Sequence, residues 1–385
     1  MKIIVAPDSF KGSLSAETAS AAIARGIHAA LPEAEVFQIP IADGGEGTLD
    51  CLLRATAGER VVVQVTGPLG QTIDAEYGIL NEGRIAVIEM AKASGLTLVP
   101  IEERNPMLTT SYGMGELIKA ALDAGCRDFI LAVGGSATND GGTGMLQALG
   151  MRFVDIHGDD IMAVGGNLGL IAQIDDRHWD SRIRHARFML ASDVQNPWLG
   201  DNGATYVFGP QKGATDEQLI TLEQNMTHWV DCVEQKTGLL LRDRPGAGAA
   251  GGIGGAFLAF FPIEIQRGID VVIGHTRFRE FLVEADLVIT GEGRIDHQTL
   301  SGKTPLGIAQ EAKRAGVPAV ALAGSLGKGI EALYPHGLSA MLSMVNRPMS
   351  LQEAMLNAES LLEQAAEQLI RTMIIFHKER VSDED

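Results

Sequence analysis

The chain has 385 residues, 45% of them hydrophobic and 21% charged, which allows two domains with proper cores and excludes a disordered protein. Its net charge of −18 argues against a nucleic-acid binder, although local N–H groups, a lysine or a metal can still hold a small anion. Cys51, Cys126 and Cys232 are too widely spaced for a disulfide framework or a zinc site, whereas glycine, with 46 residues, is far above its average share.

Lys2–Ala6 reads as a buried strand, so early that no signal peptide is expected. Ser15 then caps a helix to about Ala30. Asp8, Ser9 and Lys11 fall at the C-terminal end of that strand, where open α/β sheets bind ligands, and a loop with two solvated charges is the other reading. Val36–Ile39 is the next strand. It leads to Ala42–Thr48, where Asp43 and Glu46 stand among glycines and can hold Mg²⁺ or a substrate hydroxyl, unless Asp43 serves only as a cap. Val61–Thr66, Thr72–Ile79 and Arg84–Glu89 are strand-like runs joined by the short turns Gly67–Gly70 and Asn81–Gly83. They predict an antiparallel meander and a second domain starting near Thr66. Glu89–Gly95 and Thr109–Glu116 open helices and either line a cleft or cap a helix.

Phe129–Val133 is a buried strand followed by the densest glycine loop, Gly134–Gly142. Gly134, Gly135, Ser136, Thr138 and Asn139 can approach phosphate oxygens through their N–H groups, and Asp140 beside them can hold Mg²⁺. A tight strand–helix connection is the competing account. The strand Ala186–Ala191 ends at Asp193 and Asn196, and Lys212 lies in a Gly/Pro turn before a helix of about twenty residues. Pro245–Gly251 contains G-x-G-x-x-G but follows Arg242–Pro245 and no strand, which makes dinucleotide binding a weak reading. The uncharged run Pro245–Ile263 is too rich in Gly and Ala for a membrane span.

Asp286–Thr290 is a strand leading into a long polar turn, Gly291–Pro305, with Arg294, Asp296 and Lys303. Gly302-Lys303-Thr304 ends like a Walker A loop, but His297 stands where that motif needs glycine. Pro318–Gly324 and Ala340–Val345 are strands, Ser350 opens a long amphipathic helix with a capping box, and the acidic end Ser382–Asp385 is expected to fray. Parallel βα units at both ends, with a meander between, predict a discontinuous first domain carrying an inserted second one. Composition and spacing reach a small-anion or nucleotide enzyme and no further.

The motifs reach further. PDSFKGSLSA (Pro7–Ala16), ADGGEGT (Ala42–Thr48), GGSATNDGG (Gly134–Gly142), FGPQKGA (Phe208–Ala214), PGAGAAGG (Pro245–Gly252) and TGEGRIDHQT…GKTP (Thr290–Pro305) resemble the bacterial class I glycerate kinases, which form 2-phosphoglycerate. The resemblance covers nearly the whole chain in consistent order. It implies ATP- and Mg²⁺-dependent phosphorylation of D-glycerate, in sugar-acid or glyoxylate catabolism. It also implies an α/β protein of two domains with the active site in the cleft between them. One is a flavodoxin-like or Rossmann-like parallel three-layer domain, 1–66 with 262–385, and the other an inserted mixed α/β domain, 67–261. On that reading Asp193 is the base on the 2-hydroxyl or a metal ligand, with Lys11 and Lys212 as further catalytic residues. Asp8, Ser9, Asp43, Gly134, Gly135, Ser136, Thr138, Asn139, Asn196, Arg294 and Lys303 would bind substrate or nucleotide, and Asp140, Glu46 and Asp296 would bind metal. A cytoplasmic monomer or homodimer is expected, with no membrane or nucleic-acid partner. A hydroxy-acid dehydrogenase and a non-catalytic sensor of small acids are the alternative classes.

Overall fold

Short apolar runs such as Ile3–Ala6, Phe129–Ala132, Leu287–Ile289 and Ala319–Ala323 have no polar side to offer, so they form strands covered on both faces. The computed structural model describes residues 1–81 and 83–382; residue 82 in the second meander turn and 383–385 of the acidic end lie outside the described residues. In chain order the strands are β1 (Lys2–Pro7), β2 (Glu35–Gln38), β3 (Glu59–Thr66), β4 (Thr72–Leu80), β5 (Ile85–Glu89), β6 (Asp128–Ala132), β7 (Arg152–Val154), β8 (Gln173–Asp175), β9 (Arg187–Ala191), β10 (Ile263–Gln266), β11 (Leu287–Ile295), β12 (Ala319–Leu326) and β13 (Leu338–Ser343). The chain is of the α/β class. It divides into two compact units, Met1–Asp43 with the segment from Ile269 onward, and Gly44–Gly268.

The first unit is an all-parallel sheet in the order β13-β12-β11-β1-β2. Numbered within the unit, this is the 2-1-3-4-5 order of flavodoxin-like folds. The helix Ala16–Ala30, capped by Ser15 accepting from Thr18 N–H, packs its Ala19, Ile23 and Ile27 with Ile3, Val5 and Ile289 and with Leu362 and Ile370 of the helix Ala358–Ser382. Ser350 caps only a short helix, Leu351–Leu356. A break at Asn357 separates it from the long one, so the predicted single helix is two. The polar turn expected from Gly291 begins later. β11 continues to Ile295, pairing Arg294 with Ser325 and Ile295 with Leu326 of β12.

The second unit holds a mixed sheet, β10-β9-β6-β5-β4-β3, parallel from β10 to β5 and antiparallel from β5 to β3, besides the small hairpin of β7 and β8. The meander is therefore the edge of a sheet whose other half is parallel. The sequence reading placed Glu59–Thr66 before the junction at residue 66. In the structure this strand pairs along its whole length with β4, and Leu49 and Leu53 of the helix Thr48–Thr56 press against Gly78 of β4, so both belong to the second unit. No helix among the described residues is long and apolar enough to cross a membrane.

Candidate active site

β1 and β11 are the pair at which the strand order of the first unit reverses, and in open α/β sheets the chain leaves such strands in opposite directions, opening a crevice beyond their C-terminal ends. A cavity of about 590 Å³ lies there. Six residues singled out from sequence line it: Asp8, Ser9, Lys11, Asp43, Arg294 and Lys303. Glu292 joins them. It stood inside a quoted motif, but nothing in its spacing marked it over its neighbours.

Asp8 is buried. One carboxylate oxygen accepts from Ser9 N–H at 2.6 Å and the other from Thr304 Oγ1 at 2.6 Å. Desolvation, and after it the negative charge of Asp43, push its carboxyl above the ordinary range. Burial raises Glu292 as well, against the pull of Lys303, whose Nζ is 3.9 Å from its Oε2. Thr299 Oγ1 donates to the other Glu292 oxygen at 2.9 Å. Crowded, desolvated carboxylates are relieved by a cation, and Mg²⁺ takes one or two protein carboxylates together with phosphate oxygens and water. Asp8 and Asp43 fit that use. Among the described residues no group of three His, Cys, Asp or Glu side chains is arranged to hold a metal alone. Asp296, expected as a metal ligand, caps the short turn His297–Ser301 through Gln298 N–H at 2.9 Å and pairs with Arg294 Nε at 3.0 Å. The backbone bond from Gln298 is the main reason its carboxyl lies below the ordinary range.

In the second unit the ends of β5, β6 and β9 carry Glu89, the Gly134–Gly142 loop and Asp193 side by side. The glycine turn at Gly44–Gly47 packs onto them. A Cβ on Gly134 would stand 2.8 Å from Gly45 Cα, so the two loops touch backbone to backbone. Lys212 is almost wholly buried, and its Nζ donates to Ser136 Oγ at 2.9 Å and to the Thr138 carbonyl at 2.6 Å. Desolvation drives its pKa down to about 7, opposed by the nearby Asp140. Asn139 Nδ2 donates to Thr205 Oγ1 at 3.2 Å, while Asn139 Oδ1 and Thr138 Oγ1 are buried without a hydrogen-bond partner in the protein.

Asp140, the second expected metal ligand, accepts from Ser111 N–H and Oγ, both at 2.7 Å, and from the N–H groups of Gly142 at 3.1 Å and Gly144 at 3.3 Å. These four donors make it the organiser of its own loop. The G-x-G-x-x-G segment has a related task. Ala250, Gly251 and Gly252 take left-handed conformations, Gly251 lies so close to the Thr138 carbonyl that a Cβ would meet it at 2.0 Å, and its own carbonyl accepts from Gly141 N–H. Asn196 Nδ2 is tied to the Asn202 carbonyl at 2.8 Å, and Asp193 is half-buried just beyond β9. Glu46, the third expected metal ligand, is exposed on its turn and lines a smaller pocket of about 310 Å³ with Asp74, Glu76, Glu89 and Lys92. Glu89 is a residue the sequence did not separate from a helix start. It is buried, its pKa is raised to about 7 by desolvation, and one oxygen accepts from Leu49 N–H at 2.6 Å.

The sequence profile of the glycerate kinase family matches residues 3–374. The chain belongs to the glycerate kinase family. It is 50% identical over 364 residues to a glycerate kinase of Halalkalibacterium halodurans, covering 94% of this chain and 96% of that one. It is 43% identical over 375 residues to a glycerate 2-kinase of Escherichia coli K12, covering 97% and 98%. The crystal structure of a candidate glycerate kinase 2 from Salmonella typhimurium LT2 superposes with a TM-score of 0.84 at 45% identity, over 98% of this chain and 99% of that one.

Proposed function

We propose that this kinase transfers the terminal phosphoryl group of ATP to the 2-hydroxyl of D-glycerate, giving 2-phosphoglycerate and ADP, in the catabolism of sugar acids or glyoxylate. Family membership supports phosphorylation of glycerate, and the observation that carries the chemistry is the cavity at the ends of β1 and β11, where three cationic side chains meet three carboxylates.

Phosphoryl transfer asks little covalent work of a protein beyond positioning and neutralisation of charge. Asp193 is the base that takes the proton of the attacking hydroxyl. Lys11, Arg294 and Lys303 meet phosphate oxygens, with Ser9 beside them. Lys212 and the Gly134–Asn139 loop, with Asn196, hold the carboxylate or the transferred group. Mg²⁺, when bound, screens the phosphate oxygens from the nucleophile, and Asp8 and Asp43 are the carboxylates best placed to take it. Asp140, Glu46 and Asp296 support these groups from the loops and turns they occupy. The enzyme works in the cytoplasm as a monomer or homodimer.

ADP release from the purified chain with D-glycerate, ATP and Mg²⁺, with the product resolved by phosphorus NMR, tests this reading. The 2-phosphate is expected. The 3-phosphate as sole product would displace Asp193 from the 2-hydroxyl, and an absence of ADP release would refute the reading.

A further inference from the structure

We propose that the cavity at the β1/β11 crevice is the nucleotide site, with the base against its methionines and the phosphates toward Lys11, Arg294 and Lys303. This rests on the kinase reading above and adds which ligand the first unit takes.

Volume comes first. Pockets of roughly 300–1,000 Å³ enclose ligands of drug or cofactor size, and the cavity holds about 590 Å³. Glycerate, a three-carbon acid, would leave most of that space to water. A nucleotide would fill it.

The lining combines the two characters of a nucleotide. It includes the cationic Lys11, Arg294 and Lys303 and the thioethers of Met344, Met349 and Met355. Thioethers are polarisable and conform to a flat aromatic ring, so these methionines suit a base and gain nothing from a small carboxylate. Two of the lining serines are already engaged: Ser13 Oγ donates to the Met355 carbonyl at 2.7 Å, and Ser350 Oγ accepts from Glu353 N–H.

Topology gives the third argument. Open α/β sheets bind their ligands where the strand order reverses, and in this unit that point is the β1/β11 pair, flanked by Asp8–Lys11 on one side and Glu292–Arg294 on the other. Lys303 stands at the N-cap of the helix Thr304–Ala315, so the positive end of that helix adds to the charge of its side chain. Among the described residues the second unit shows no such reversal, since its parallel strands follow one another in a single direction from β5 to β10.

The test is direct nucleotide binding by the full chain, read separately from turnover. Affinity for a fluorescent methylanthraniloyl-ATP is measured with Mg²⁺ for the unaltered protein and for Met349→Glu and Met355→Glu, and KM is measured for ATP and for glycerate. A carboxylate against the base should weaken nucleotide binding and raise KM for ATP by about tenfold, the equivalent of 1.4 kcal/mol, with KM for glycerate changed less than about twofold. Photolabelling of the unaltered protein with 8-azido-ATP should mark peptides containing Met344–Met355, a result that does not depend on how the variants fold. A rise in KM for glycerate alone, or label confined to the Gly44–Gly268 segment, would overturn the assignment while leaving the kinase reading intact. Failure of the unaltered protein to bind any nucleotide would remove both.

Discussion

The two units present their strand-end cations in opposite conditions. In the first, Lys11 is exposed, the Arg294 side chain is 69% exposed and that of Lys303 33%, all around an open cavity. In the second, Thr138, Asn139 and Asp140 have no exposed surface, and Lys212 is held by two acceptors. Long exposed cations adapt to a ligand, but water and salt screen them, whereas a buried network is already oriented before any ligand arrives and acts in a lower dielectric. The comparison therefore gives fixed geometry to the second unit and adjustable charge to the first.

The largest expected effect is in the second unit. Asp193→Asn removes the proposed base with little change in shape, and turnover should fall by roughly 10²–10⁴-fold while KM for ATP stays within a few-fold. Steady-state kinetics with both substrates check this. Near-normal turnover would take Asp193 out of the chemistry and leave the fixed geometry of this unit without its proposed purpose.

Lys212→Met comes next and addresses the buried network directly. The variant keeps the apolar bulk and loses the amine, so kcat/KM for glycerate should drop by about 10²-fold or more, with little response to added salt. Stability gives a second readout. The lysine has a pKa of about 7 in the folded protein and about 10.4 in the unfolded chain, so between those values the unfolded chain binds more protons. Its burial costs most stability below pH 7, and that cost fades as pH rises toward 10. Urea unfolding across that range should show the unaltered protein gaining stability relative to Lys212→Met. A flat difference would mean that the amine is not desolvated.

How much of this was legible in the sequence follows the same division. The strands of Ile3–Ala6, Phe129–Ala132 and Leu287–Thr290 are readable because short, largely apolar runs closed by proline or glycine have few other uses, and Asp8, Lys11, Asp43, Arg294 and Lys303 are readable because they fall in the strand–turn–helix segments between strands and the next helices. Lys212 stands out through its motif, but its burial is not legible, because only packing from distant segments desolvates it. The donors that hold Asp140 are not legible, because Ser111 is 29 residues away and the sequence does not show the bond. The extension of β11 through Ile295 was hidden for a related reason. Gly291–Ile295 is polar and glycine-rich like a turn, and its pairing with β12 is a tertiary fact.

A smaller effect is expected in the first unit. Lys303→Ala should raise KM for ATP by about three- to tenfold, and the loss should shrink as ionic strength rises, because a partly exposed cation is already screened at high salt. KM at a low and a high salt concentration checks it. A salt-independent loss larger than that of Lys212→Met would break the comparison, since Lys303 would then act as a fixed group.

The smallest effect belongs to Glu89, which anchors a loop. Its Oε1 holds Leu49 N–H in the first turn of the helix that follows Gly44–Gly47, so Glu89→Gln, which keeps an oxygen acceptor, should leave turnover within about threefold. The pH dependence of stability should change instead. Desolvation raises this carboxyl to about 7 from an ordinary value near 4.3, so between those values the folded protein binds more protons than the unfolded chain. Its contribution is fully present below about pH 4 and is lost as pH rises through 7, the opposite slope to that of Lys212 in the same unit. Urea unfolding of Glu89→Gln at pH 5 and pH 8 isolates it: the unaltered protein should fall relative to the variant between those two values. Equal differences at both would mean that the carboxyl is already ionised when buried. A charge at Glu89 would then be held against Lys92, and the second unit would carry a fixed ion pair where the comparison places a neutral anchor.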